Sequence, residues 1–173
     1  MKKLVTILMM AVLLGGCSKK TVMETVSDVL DVPTAAPMQQ ILVQLPPELS
    51  VPAMENTESG SLYLCDTYSV TVQTVEGGDL RKTIRNATGM ETEDLQIMET
   101  LQEGNKCYQW VWSTNGESGV QIGRGCILDD GAYHYVLTAL AEETAAGVVQ
   151  PVWKELFASF QIVSGSENVS TGS

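Results

Sequence analysis

An α+β fold, in which an antiparallel sheet is flanked by helices on both faces, is the class this sequence predicts. Three observations predict it. Six short runs rich in β-branched and aromatic residues lie between residues 62 and 140, separated by turn dipeptides. Two segments of helical period frame the last four of these runs. Both faces of those four are apolar, and an apolar sheet face cannot be left in water.

The first two strands are predicted at Leu62-Tyr63-Leu64 and Tyr68 to Val75. A helix follows near Asp79 to Thr88, with Leu80, Ile84 and Ala87 on one face and Gly89 as its C-terminal stop. A meander then runs through Leu95 to Leu101, Lys106 to Thr114, Gly119 to Leu128 and Ala132 to Leu140. Glu103-Gly104, Asn115-Gly116 and Asp130-Gly131 mark its turns, since these pairs accept the positive φ of tight hairpins. The final helix reaches about Phe160, with Val149, Val152, Trp153, Leu156 and Phe160 on one stripe. Pro151 predicts that this helix begins or kinks there.

Strand side chains alternate, so position parity assigns the two faces. One carries Cys107, Val111, Val120, Ile122, Cys126, Tyr135 and Leu137. The other carries Leu95, Ile97, Tyr108, Trp110, Trp112, Val136 and Leu140, with Gly123 and Gly125 lying across from the aromatics. With one helix over each face, three layers follow.

At the N-terminus, Met1-Lys2-Lys3 precedes an apolar run from Leu4 to Leu14 and then Gly15-Gly16-Cys17. A basic start, a short apolar stretch and small residues at the cut are the parts of a secretory signal, and the run is shorter than the roughly 20 apolar residues of a membrane span. The Leu-Gly-Gly-Cys sequence resembles the lipobox of bacterial lipoproteins. That resemblance implies cleavage of a signal peptide, residues 1–16, acylation of Cys17, and a protein held on the cell membrane or outer membrane, facing away from the cytoplasm. A tether, residues 17–37, is expected next, then one globular domain at 38–163 and a disordered tail at 164–173, whose serines and glycines have little to bury.

Removing residues 1–16 from the 173 leaves 157, enough for a single domain. The whole chain carries 10 basic and 21 acidic residues, a net charge of −11; loss of Lys2 and Lys3 takes it to −13. That charge repels phosphate backbones and makes nucleic acid an unexpected partner. It also repels an anionic bilayer, so membrane attachment is expected through the N-terminal lipid rather than a basic patch.

The stretch Gly131-Ala132-Tyr133-His134-Tyr135-Val136-Leu137, followed by the final helix and Ala158-Ser159-Phe160-Gln161-Ile162, resembles the end of the PsbP-like α/β/α sandwich found in thylakoid-lumen proteins and many bacterial lipoproteins. The resemblance spans about residues 40–163. It implies the three-layer fold and an accessory or binding role, and it supplies no catalytic or ligand residue.

Local chemistry is sparse, and no catalytic, cofactor or metal motif is found. His134 is the single histidine, so any imidazole mechanism must use it, but its position on a strand between two tyrosines reads as a sheet residue. Asp129-Asp130-Gly131 lacks the spaced ligands of a calcium loop and reads as a turn. Gly77-Gly78 and Gly123-Arg124-Gly125 lack the lysine and hydroxyl of a phosphate loop. Tyr108, Trp110 and Trp112 form a stripe suited to stacking on a flat ligand if uncovered, and to core under a helix otherwise; core is favoured, because so large an open apolar patch is unusual. Arg81, Lys82 and Arg85 read as the wet side of the first helix.

With Cys17 acylated, Cys65, Cys107 and Cys126 remain, an odd number with no C-x-x-C spacing. If the turn between Thr114 and Gly119 holds four residues, Cys107 lies opposite Cys126. If it holds two, Cys107 faces Arg124 and Cys126 is its diagonal neighbour. Only the first brings the Cβ atoms to the roughly 3.5 to 4.5 Å of a disulfide, and on it rests the expectation of a Cys107–Cys126 bridge with Cys65 unpaired. The functional expectation is a non-enzymatic, lipid-anchored envelope protein that binds a protein or small-molecule partner. The alternative is an envelope hydrolase or small-ligand receptor whose site leaves no local motif.

Overall fold

The computed structural model describes residues 36–163 except 50 and 57–59. The expected signal peptide, Cys17, nearly all of the tether and the tail at 164–173 lie outside the described residues. Seven antiparallel strands form one sheet: β2 (Met54–Asn56), β3 (Gly60–Leu64), β4 (Tyr68–Glu76), β5 (Met98–Gln102), β6 (Asn105–Gly116), β7 (Gly119–Asp129) and β8 (Tyr133–Glu142), in the spatial order β2-β3-β4-β8-β7-β6-β5. The chain leaves β4, crosses one face through α1 (Leu80–Thr88), enters β5 at the far edge, and returns by the meander until β8 pairs with β4. The other face is covered by α2 (Ala146–Ala158). The expected α+β sandwich with helices on opposite faces is therefore the architecture.

A two-stranded ribbon that the sequence reading missed closes the α2 side: β1 (Gln40–Leu42) pairs with β9 (Gln161–Val163), Ile41 opposite Ile162. Both isoleucines pack on the α2 core. Three residues are too few to show a period of two, so neither strand carried a legible signal. Ser159 ties the ribbon to the helix end, its Oγ donating to Leu156 O at 2.8 Å and accepting from Gln44 N at 2.9 Å.

The helix signals read correctly at α1. Asp79 is its N-cap, accepting from Lys82 N at 3.3 Å, and Gly89 ends it at φ 75°, a left-handed conformation that costs glycine no steric penalty. At α2 the helix starts five residues before Pro151, which lies inside it. Its missing N–H leaves the Gly147 carbonyl without a helical donor, and burial of Val149, Trp153, Leu156 and Phe157 stabilises the helix regardless. Strand β5 begins at Met98 rather than Leu95, because Thr92–Asp94 forms a 3-10 turn; Leu95 and Ile97 still pack against the α1 core.

The largest correction concerns the β6–β7 hairpin. Asn115-Gly116 is not its turn. Gly116 pairs with Gly119, Glu117-Ser118 is the two-residue loop, and Asn115 lies in the strand opposite Val120. The reason is on the α1 face, where Trp110 lies opposite Gly125 and Trp112 opposite Gly123, each ring lying flat over the glycine. A Cβ at Gly125 would sit 2.3 Å from the Trp110 ring, and one at Gly123 2.4 Å from Trp112. Sliding the pairing by two residues would set Trp112 against Gln121 and break this fit. Two buried indoles outweigh a local turn preference worth far less. The aromatic stripe is core: Tyr108, Trp110 and Trp112 are buried with Ile84, Ile127 and Val136 beneath α1.

This packing makes Trp110→Ala expensive, about 3 to 5 kcal/mol for an indole that is 3 % exposed. Gly125→Ala should cost about 1 to 3 kcal/mol, because the new methyl displaces the ring. Urea unfolding of both variants measures this, and a loss under about half a kilocalorie at either position would contradict the ladder.

Candidate functional site

Cavity-forming positions follow from the same register. Val111 pairs with Arg124 and Ser113 with Ile122, so these four side chains share the α2 face near the tip of the hairpin. Helix α2 reaches them with Gln150 and Trp153. The result is a groove of about 590 Å³ between the hairpin and α2, also bordered by Trp112 and Gly123 of the same strands. The sequence reading put Val111 and Val120 on an apolar, covered face. The face is right, but Val111 is 65 % exposed and Val120 is open as well.

Arg124 is the charged group of the groove. It is half-buried, its Cζ 4.6 Å from the centroid of the Phe157 ring, and its Nη2 donates a long bond of 3.4 Å to Gln109 Oε1. Among the described residues no carboxylate lies within ion-pair distance of it, whereas Arg81 and Arg85 pair with Glu93 and Glu91 at 3.6 and 3.0 Å on the open side of α1. The latter pairs bear out the reading of that basic cluster as a wet helix face. Trp153, 4 % exposed, forms part of the groove wall, and its Nε1–H has no hydrogen-bond partner among the described residues. Among the described residues, no carboxylate, imidazole or thiol lines the groove.

A second concavity, about 430 Å³, runs beside α1 and is lined by Gln73, Glu76, Asp79, Lys82, Thr83 and Asn86 among others. His134 lies beneath it, 1 % exposed, sharing a 2.8 Å hydrogen bond between Nδ1 and Thr83 Oγ1. Its Nε2 is 3.9 Å from Asp129 Oδ2, beyond hydrogen-bond length. Burial holds the imidazole below its ordinary pKa, against the upward pull of Asp129, Asp130 and Asp79. The sheet-residue reading of His134 stands, and neither concavity is lined by it. Asp129 and Asp130 serve the β7–β8 turn. Asp130 accepts from the N–H groups of Ala132 and Tyr133 and from the Tyr135 hydroxyl, and Asp129 accepts from Gly131 N.

The cysteines depart from the expected geometry. Cys107 pairs with Leu128, and Cys126 with Gln109, so the two are diagonal neighbours and the four-residue turn that would have set them face to face does not occur. Their Sγ atoms are nonetheless 3.7 Å apart, in contact as buried thiols, and Gln109 Nε2 approaches Cys107 Sγ at 3.6 Å. The contact between the two thiols, together with burial, pushes the Cys126 thiol up, and the same contact pulls Cys107 down. Cys65, just past β3, bonds to Tyr68 O and Thr67 and is remote from the pair. Strand β3 stands three strand spacings from β7, about 14 Å.

Among the described residues, no three His, Cys, Asp or Glu side chains cluster as metal ligands, and no helix is long and apolar enough to cross a membrane. No protein-family model matches the chain, and no curated relative matches it. Among solved structures the chain is similar to cyanobacterial PsbP (CyanoP) from Synechocystis, at 11 % identity and a TM-score of 0.49 over 77 % of this chain and 96 % of that one. It is likewise similar to the Ran-binding protein Mog1p of Saccharomyces cerevisiae, at 13 % identity and 0.49 over 72 % of this chain and 90 % of that one. A third likeness is to LpqN of Mycobacterium tuberculosis, described as involved in cell envelope biogenesis, at 11 % and 0.49 over 73 % of this chain and 85 % of that one. These likenesses concern the arrangement of strands and helices.

Two outcomes test the buried polar groups. Because the native state holds His134 neutral, the unfolded chain takes up the proton first as pH falls through about 6.5. Stability should therefore drop between pH 7 and 5 in the parent protein by more than in His134→Gln, whatever the variant's own offset. Parallel pH dependences would contradict a neutral buried imidazole. For the thiols, diamide treatment followed by non-reducing peptide mapping should yield Cys107–Cys126 as the single linkage, and a peptide joining Cys65 to either partner would contradict the strand order.

Proposed function

We propose that this protein is a lipid-anchored, non-catalytic binding protein of the cell envelope, held at the membrane through Cys17 and presenting the groove between β6–β7 and α2. The observation that carries the binding half is the groove itself: a cavity of about 590 Å³, within the usual range for ligand sites, lined by apolar residues together with Arg124, Gln150 and Ser113. The hydrolase alternative needs a nucleophile paired with a base. Ser113 is the groove's one hydroxyl, and no imidazole or carboxylate lines the wall beside it, so a general base is wanting there. The anchoring half rests on Lys2-Lys3, the apolar run and Leu14-Gly15-Gly16-Cys17.

Cys17→Ser tests the anchor. Fractionation should find the variant released from membranes or retained as an uncleaved precursor, while the parent sediments with the membrane and gains mass by acylation. A variant that is still processed and acylated normally would remove the lipoprotein reading.

A further inference from the structure

We infer that the β6–β7/α2 groove takes a small organic carboxylate with a flat apolar body, and that Arg124 is the residue that binds its charge. The inference rests on the binding reading above and names the ligand class. Arg124 is the one arginine of the described residues without a carboxylate partner, in a chain that carries 21 acidic residues. A guanidinium has five donors in a planar fork that matches a carboxylate. Here the group spends one of them on a 3.4 Å bond to a neutral amide, and its Cζ lies 4.6 Å over the Phe157 ring. A half-buried cation held in place with most of its donors unused is complementary to an anion delivered from outside.

The walls say what the rest of the anion is. Val111, Ile122 and Trp153 present apolar surface to it. The acidic surface acts as a filter. Glu76 and Asp79 outnumber Lys82 in the concavity beside α1, whereas no carboxylate among the described residues lines the groove at Arg124. Charge and shape thus agree at the groove.

The test uses the full-length mature lipoprotein in phosphatidylcholine nanodiscs and three water-soluble probes of one body: 2-naphthoate, 2-naphthalenemethanol and 2-naphthyl phosphate. Tryptophan fluorescence and equilibrium dialysis should show saturable binding of the carboxylate, weaker by roughly tenfold or more for the neutral alcohol. Arg124→Gln should lose a similar factor for the carboxylate and nothing for the alcohol, with an unfolding midpoint close to the parent's establishing that the fold is intact. Arg124→Lys should retain part of the affinity. Equal binding of acid and alcohol, indifferent to Arg124→Gln, would overturn the assignment of charge while leaving the groove as a binding site. Tighter binding of the phosphate than of the carboxylate would overturn the head-group class. Failure of all three probes to bind at millimolar concentration would overturn the inference, and the Cys17→Ser fractionation separately decides the anchored reading.

Discussion

The interlock of Trp110 with Gly125 and Trp112 with Gly123 is the constraint on which the remainder of the structure depends. An indole can lie flat across a neighbouring strand only where that strand has no Cβ, and β7 offers two such places, two residues apart, matching the spacing of the tryptophans on β6. The two contacts reinforce each other, because a shift that preserves one destroys the other. Strand register is weakly determined when both faces are apolar, since alternation alone cannot choose between shifts of two. Here the choice is made by shape.

From that register the two sides of the sheet acquire different fates. On the α1 side the stripe of Tyr108, Trp110 and Trp112, with Ile84 and Val136, is sealed. On the α2 side the helix and the β1–β9 ribbon cover Leu128, Tyr135 and Leu137 but leave the hairpin tip open, where Val111 and Ile122 face the groove. The hairpin is long because its turn lies at Glu117-Ser118, beyond the Asn-Gly pair, and the groove lies where its strands meet Gln150 and Trp153 of α2.

Much of this was legible in the sequence, and the failures have a common cause. Parity placed Cys107 and Cys126 on one face and the aromatics on the other, and the glycines across from the tryptophans were visible as a pattern. The α1 stop at Gly89 was legible directly, and its start near Asp79, which proves to be the N-cap, was legible as a boundary. What failed was absolute register: Asn115-Gly116 is a strong local hairpin signal, and choosing it moved every pair in the hairpin by two or four positions. The tryptophan and glycine spacing contained the correct answer, had it been weighted as packing rather than as accompaniment. Arg124 had no signal of its own, because a lone arginine between two glycines carries no motif. Its isolation from carboxylates is a property of three dimensions alone.

The groove inherits its electrostatics from the same ladder. With the pairing shifted by two, Arg124 would face Gln109 instead of Val111, and by four it would face Cys107, deeper along the sheet where α2 and Phe160 close the core. A guanidinium there would be buried among apolar side chains and thiols, with a desolvation cost that a distant amide does not offset. In the observed register it stands at the boundary of the covered region, its Cζ 4.6 Å from the centroid of the Phe157 ring. The interlock on one face of the sheet therefore sets where the charge emerges on the other, and the two faces are coupled through the pairing of β6 and β7 without any side chain crossing between them.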